Sequence, residues 1–175
     1  MKRFMKRGAI GVVIVLLAAQ AYRPDKNVAA GPSDRHISRV VSTPPEVEKI
    51  LRTSCYDCHS NSTRYPWYAE VQPVGWFLNN HIVEGKRGMN FDEYASYRPF
   101  RQLRKLEQIR AEVEAGEMPL ASYLMIHTGA RLSSEQEDAL MQWVSAGVDS
   151  LRARYPADSL QRPQNNRRPG PESGR

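Results

Sequence analysis

The chain has 175 residues, room for one domain at the usual size of about 100–200 residues, and part of its 41% hydrophobic content is an N-terminal run outside any folded body. Its net charge of +6 sits at the ends: residues 1–21 carry +4, residues 152–175 carry +4, and the stretch between them is left with −2. A body of that sign does not offer the basic groove that nucleic acid needs, so nucleic acid is not an expected partner.

Residues 1–21 read as a signal peptide or N-terminal membrane anchor. Lys2, Arg3, Lys6 and Arg7 precede twelve uninterrupted apolar or glycine residues, Gly8 to Ala19. A spanning helix needs about 20 apolar residues and a signal core about 7–15. Ala19-Gln20-Ala21 is therefore the expected cleavage site, with an uncleaved anchor as the alternative. In both cases the basic end stays inside, and the body is expected in the periplasm or on the outer face of the inner membrane.

Residues 22–43 are polar and proline-punctuated and read as a linker, with His36 inside it and without a role. The domain proper is expected over residues 44–152. Its first helix starts at Thr43-Pro44-Pro45-Glu46, a cap-type residue followed by proline and an acid, and its stripe Val47, Ile50, Leu51, Ser54 leads into Cys55. A second helix is expected from Pro73 to about Gly85, with Val74, Phe77, Leu78, His81 and Ile82 facing inward. A third spans about Phe100 to Ala115 with the stripe Leu103, Leu106, Ile109 or Arg110, and Val113, and Gly116 stands in the stop position. The fourth opens on Ser133 and Ser134, with Gln136 and Glu137 three residues on, and carries Leu140, Trp143, Val144, Gly147, Val148 and Leu151. No alternating strand pattern competes, so the fold class is all-α, a single domain of about four helices. Residues 153–175, rich in Pro, Asn, Arg, Gly and Ser, are expected to form a disordered basic tail, with no order from Pro156 onward.

The chemistry lies in Cys55-Tyr56-Asp57-Cys58-His59, a C-x-x-C-H motif. Two thiols three residues apart on a helical turn can both reach the vinyl edges of one porphyrin, and the following imidazole falls under the iron: this is the attachment signature of a c-type haem. Two cysteines and four histidines scattered at random would produce the motif in roughly 0.03% of arrangements, so accident is a poor explanation. An exported chain also suits a haem attached outside the cytoplasm. Two other readings of the cysteines fit this chain less well. A redox C-x-x-C belongs at a strand-to-helix junction, which is missing here. A zinc site needs four ligands, and beyond Cys55, Cys58 and His59 only His81 or His127 is on offer.

The sixth iron position points first to Met118. In Gly116-Glu117-Met118-Pro119 the proline takes Met118 out of helical geometry at a helix end, and a thioether opposite histidine suits electron transfer. His81 is the runner-up, followed by His127, Met89 and Met125, and an open position stays in play. Tyr65 and Trp67, in Tyr65-Pro66-Trp67-Tyr68, together with Trp76 and Phe77, are expected to wall the porphyrin. Asn61, Arg64, Arg87 and Asn90 are candidate partners for its propionates. Glu112, Glu114 and Glu117 read as a solvated helix face, so no enzyme activity is expected.

The block Ser54 to Asn61, then Arg64-Tyr65-Pro66-Trp67-Tyr68, His81, Gly85, Asn90-Phe91, Gly116-Glu117-Met118-Pro119-Leu120, Tyr123 and His127 resembles the bacterial haem-binding domain family. These are small exported cytochrome-c-like proteins defined by a C-x-x-C-H motif, and the likeness covers about residues 43–148. It implies a helical haem domain in the envelope that transfers electrons, with Cys55, Cys58 and His59 holding the haem; it does not carry over a sixth ligand. The expectation is a cytochrome-c-like domain around one covalent haem c, a one-electron carrier serving redox partner proteins of the envelope and held at the membrane if the anchor is retained. The alternative is a haem-based ligand or redox sensor, or a peroxidase-like module, with an open or exchangeable sixth position.

Overall fold

The computed structural model describes residues 2–162 and is all-α. Helix α1 (Lys2–Ala19) contributes no buried residue. Four helices of ten or more residues build the body: α2 (Pro45–Ser54), α4 (Val74–Gly88), α5 (Pro99–Glu114) and α7 (Ser134–Arg154). Two single turns, α3 (Tyr56–His59) and α6 (Ala121–Leu124), carry site residues. An isolated antiparallel bridge pairs Val28 with Ser62. Among the described residues no helix is long and apolar enough to cross a membrane.

The core lies where α2, α5 and α7 meet. Leu51, Leu106, Leu140, Val144 and Leu151 are wholly buried there, with Trp143 and Val148 beside them. The stripe read for α7 is the one that faces inward, and the helix starts on the expected capping box: the Ser133 amide donates to Gln136 Oε1 at 3.0 Å and the Gln136 amide to Ser133 Oγ at 3.3 Å. At Gly147 a methyl group would meet Leu106 Cδ1 at 2.9 Å and Val41 Cγ1 at 3.0 Å, so the small residue lets α5 and the segment before α2 close on α7.

Several expectations are corrected. Residues 22–43 do not hang free. Ile37 and Val41 are 0% and 2% exposed in the main core, a short 3-10 turn spans Ile37–Arg39, and Asn27 and Ala29 exchange backbone hydrogen bonds with Thr63 and Asn61. The segment is a strap, since Ile37, Val40 and Val41 offer one small apolar face that the helices cover. Thr43 does not cap α2: Pro44 takes that position, and the Thr43 hydroxyl donates to Val41 O at 3.0 Å. Helix α4 runs a turn past Gly85 and buries Gly75 and Ile82, while Val74 and Phe77 of the expected inward stripe are 41% and 60% exposed. Its packed face needs small residues because it touches another backbone. The tail keeps its order beyond Pro156: a 3-10 turn at Ala157–Leu160 lies against α5, and residues 163–175 fall outside the described residues.

Candidate haem-binding site

Helix α2 ends at Cys55, whose amide still bonds Leu51 O at 2.9 Å, but whose φ of −126° breaks the helix. The chain restarts at once as α3, with the Cys58 and His59 amides both on Cys55 O, at 3.2 and 3.0 Å. One turn thus gathers both thiols and the imidazole. Burial pushes the Cys55 thiol up to about 12, with Cys58 adding to it, and lifts Cys58 to about 11, with the Asp57 carboxylate adding to it. A redox C-x-x-C pair works through a thiol of lowered pKa, so this environment runs against that reading.

His59 Nδ1 lies 3.0 Å from Met89 O. A carbonyl only accepts, so Nδ1 carries the hydrogen and Nε2 keeps a free lone pair. Burial also holds this imidazole below its ordinary pKa, favouring the neutral ring that a metal binds. The α4 backbone can come this close because Gly85 faces the turn, where a methyl group would lie 2.7 Å from Cys58 O.

A cavity of about 350 Å³ opens beside these groups. Cys55, Cys58 and His59 form one wall, and His81, Gly85 and Gly88 of α4 continue it. Ile109 and Val113 of α5, with Leu132 and Leu140, make it apolar. Met118, Pro119, Leu120 and Tyr123 close it from the segment after α5. That segment turns on Gly116, whose φ of +70° is the left-handed conformation glycine adopts without strain. The Gly116 amide bonds Val113 O at 3.0 Å and the Glu117 amide bonds Glu112 O at 2.9 Å, a Schellman end that sends Met118 back toward the cavity.

The other expected residues are distributed unevenly. Tyr65 and Trp67 do not line the cavity: the Tyr65 hydroxyl accepts from the Asn27 amide at 2.8 Å, and Trp67 is 80% exposed with its ring on Tyr68. Tyr65 is bonded to the strap and Trp67 stays at the surface because α4, not the aromatic segment, backs the C-x-x-C-H turn. Trp76 donates to Tyr22 O at 2.9 Å, and Phe77 is exposed against His81. Arg64 pairs with Asp57, Arg87 with Glu84, and Asn90 donates to Asn61 at 2.8 Å. None of these four reaches the cavity wall. The cation on its rim is Lys105 of α5, whose pKa is held down by burial and by Arg101 and Arg104, an environment that an anion would relieve. His81 and Met89 line the cavity, Met125 is 81% exposed, and His127 stacks on Tyr123 and bonds Tyr68 outside it. His36 has a role after all: its Nε2 lies 3.0 Å from the Tyr56 hydroxyl, which donates to Glu48 Oε2 at 2.8 Å. Among the described residues no three His, Cys, Asp or Glu side chains form a metal-holding group.

Asp57 and Tyr123 stand among the residues that carry the family resemblance, but neither they nor Lys105 has a role legible in the sequence. Asp57 is buried between the two cysteines, and its Oδ2 accepts from the Tyr123 hydroxyl at 2.8 Å. Nothing in the local sequence marks a partner 66 residues away.

An apolar cleft of ligand size, with two thiols and a nitrogen donor on one turn of its wall, defines a helical protein built to hold a haem. The chain belongs to the haem-binding domain family, whose model matches residues 14–146. No curated protein and no solved structure matches it.

Proposed function

We propose that this haem-binding protein is a cytochrome-c-like one-electron carrier of the bacterial envelope, with one haem c bonded to Cys55 and Cys58 and iron held by His59 and Met118. The supporting observation is that Cys55, Cys58 and His59 line one apolar cavity that Met118 closes from another segment, with His59 Nδ1 engaged by Met89 O so that Nε2 keeps its lone pair. The bound haem supplies the redox-active iron, and the chain sets its potential through axial ligands, burial and hydrogen bonding. Cys55 and Cys58 would hold the group through thioethers to its vinyl carbons, an addition in which each thiol hydrogen would go to the neighbouring carbon and no oxidant would be needed. The Met89 carbonyl fixes the His59 ring and raises its basicity. Lys105, a cation among the lining residues, would pair with a propionate. Ile109, Val113, Leu120 and Leu140 line the cavity with apolar surface that would exclude water from a bound porphyrin.

Export by the N-terminal segment, whether cleaved after Ala21 or kept as an anchor, places the domain in the periplasm or on the outer face of the inner membrane, where redox proteins are its partners. We read it as a carrier and not an enzyme. A second reading rests on His81, which also lines the cavity, with Nδ1 2.9 Å from Phe77 O and Nε2 free. It leads to a bis-histidine iron, or to a sensor in which the sixth position exchanges.

Absorption spectra of oxidised and reduced protein, exported in a host with c-type maturation machinery, test these readings. A covalently retained, low-spin haem whose weak sulfur-linked band at the red end disappears in Met118→Ala is the expected result. A band that persists in Met118→Ala refutes ligation by Met118, high-spin iron in the parent favours the sensor, and a protein without haem refutes the proposal as a whole.

A further inference from the structure

The C-x-x-C-H turn and the segment that carries Met118 are joined by side chains. Asp57 accepts the Tyr123 hydroxyl on Oδ2 at 2.8 Å, and accepts the Arg64 amide and Nε on Oδ1 at 3.2 and 3.1 Å. Arg64 Nη2 reaches Oδ2 at 3.3 Å and Arg52 O at 2.9 Å, so the carboxylate is oriented from the C-x-x-C-H side. On the other side the Tyr123 and Leu124 amides both bond Leu120 O at 3.0 Å, which makes residues 120–124 one firm turn. The His127 ring stacks on Tyr123 with centroids 4.2 Å apart and bonds the Tyr68 hydroxyl at 3.2 Å, backing the phenol. Pro119 and Leu120 link this turn directly to Met118.

We propose that Asp57 and Tyr123 are positioning residues: their hydrogen bond clamps the 118–124 segment over the cavity and so holds the Met118 sulfur at the iron. The inference rests on the Met118 ligation proposed above. A merely local role for Asp57 in its own turn is already filled by Arg64 and by Thr63, whose hydroxyl donates to Asp57 O at 2.7 Å. The bond to Tyr123, at 2.8 Å, joins that turn to a segment 66 residues away, so its contribution is to the closure. Tyr123→Phe therefore removes the clamp and leaves the turn intact.

An open segment frees the sixth position, so an added ligand binds in proportion to the open fraction. The test titrates imidazole into the oxidised haem-loaded protein and into Tyr123→Phe, Asp57→Asn and Met118→Ala, and follows amide hydrogen exchange across residues 116–124. Tyr123→Phe and Asp57→Asn are expected to keep their haem, to bind imidazole about tenfold more tightly than the parent, and to exchange the amides of 118–124 correspondingly faster. Met118→Ala is expected to lose the sulfur-linked band and to bind imidazole most tightly. If Met118→Ala keeps the band and the parent's affinity, the ligation and the clamp fall together. If it loses the band while Tyr123→Phe matches the parent in affinity and exchange, the clamp alone is overturned. Tyr123→Phe decides by itself should Asp57→Asn fail to fold.

Discussion

Replacing Gly85 by alanine tests the contact that holds the C-x-x-C-H turn against α4. The new methyl group would lie 2.7 Å from Cys58 O and 3.2 Å from Cys58 C and Cβ, so relief to an ordinary separation near 3.4 Å needs a shift of about 0.7 Å. The atoms in the way are mostly backbone and cannot rotate aside. Overpacking of this kind costs about 1–3 kcal/mol. Alanine recovers about 0.5–1 kcal/mol through its better helix propensity, leaving a net loss centred on about 1 kcal/mol. The shift also reaches the site: the Met89 amide is tied to Gly85 O at 2.8 Å, and Met89 O accepts from His59 Nδ1 at 3.0 Å. A displacement of that size carries the His59 contact past about 3.5 Å, where it ceases to be a hydrogen bond. Denaturant unfolding of the haem-loaded protein, followed by circular dichroism, should therefore show Gly85→Ala less stable by about 1 kcal/mol, with an altered haem spectrum. Gly129→Ala, with nothing within 4 Å of the added carbon, serves as the control and should stay within about 0.5 kcal/mol of the parent. A Gly85→Ala protein as stable as the parent, with an unchanged spectrum, refutes the close approach.

Ile37→Ala probes the strap: the side chain is fully buried, so its truncation should cost about 2–4 kcal/mol in the same unfolding assay, and a loss under about 1 kcal/mol would mean that residues 22–43 are not part of the core. Ser133→Ala removes the acceptor for the Gln136 amide and should cost about 1 kcal/mol; an effect within error would show that the capping box does not hold the start of α7.

The sequence by itself determined the fold class, the run of the long helices and the motif. Helical spacing in Val47, Ile50 and Leu51, and in Leu140 through Leu151, carries through to the buried faces, because a stripe of large apolar residues has one way to leave water. The start of α7 and the turn at Gly116 were legible too, since capping and left-handed backbone depend on residues a few positions apart. Gathering two thiols and an imidazole on one turn is likewise local.

Tertiary structure decided what depends on distant backbone. It turned α4 so that Gly75, Ile82 and Gly85 face inward and Phe77 faces out, because close packing against Cys58 favours small residues over the larger apolar stripe. It recruited Ile37 and Val41 from a segment too short and polar to announce a core role, and it sent Tyr65 and Trp67 away from the cavity they were expected to wall. It also paired Asp57 with Tyr123 across 66 residues. Periodicity reports how one segment meets water, whereas these contacts are set by where a second segment comes to rest, and no local pattern encodes that.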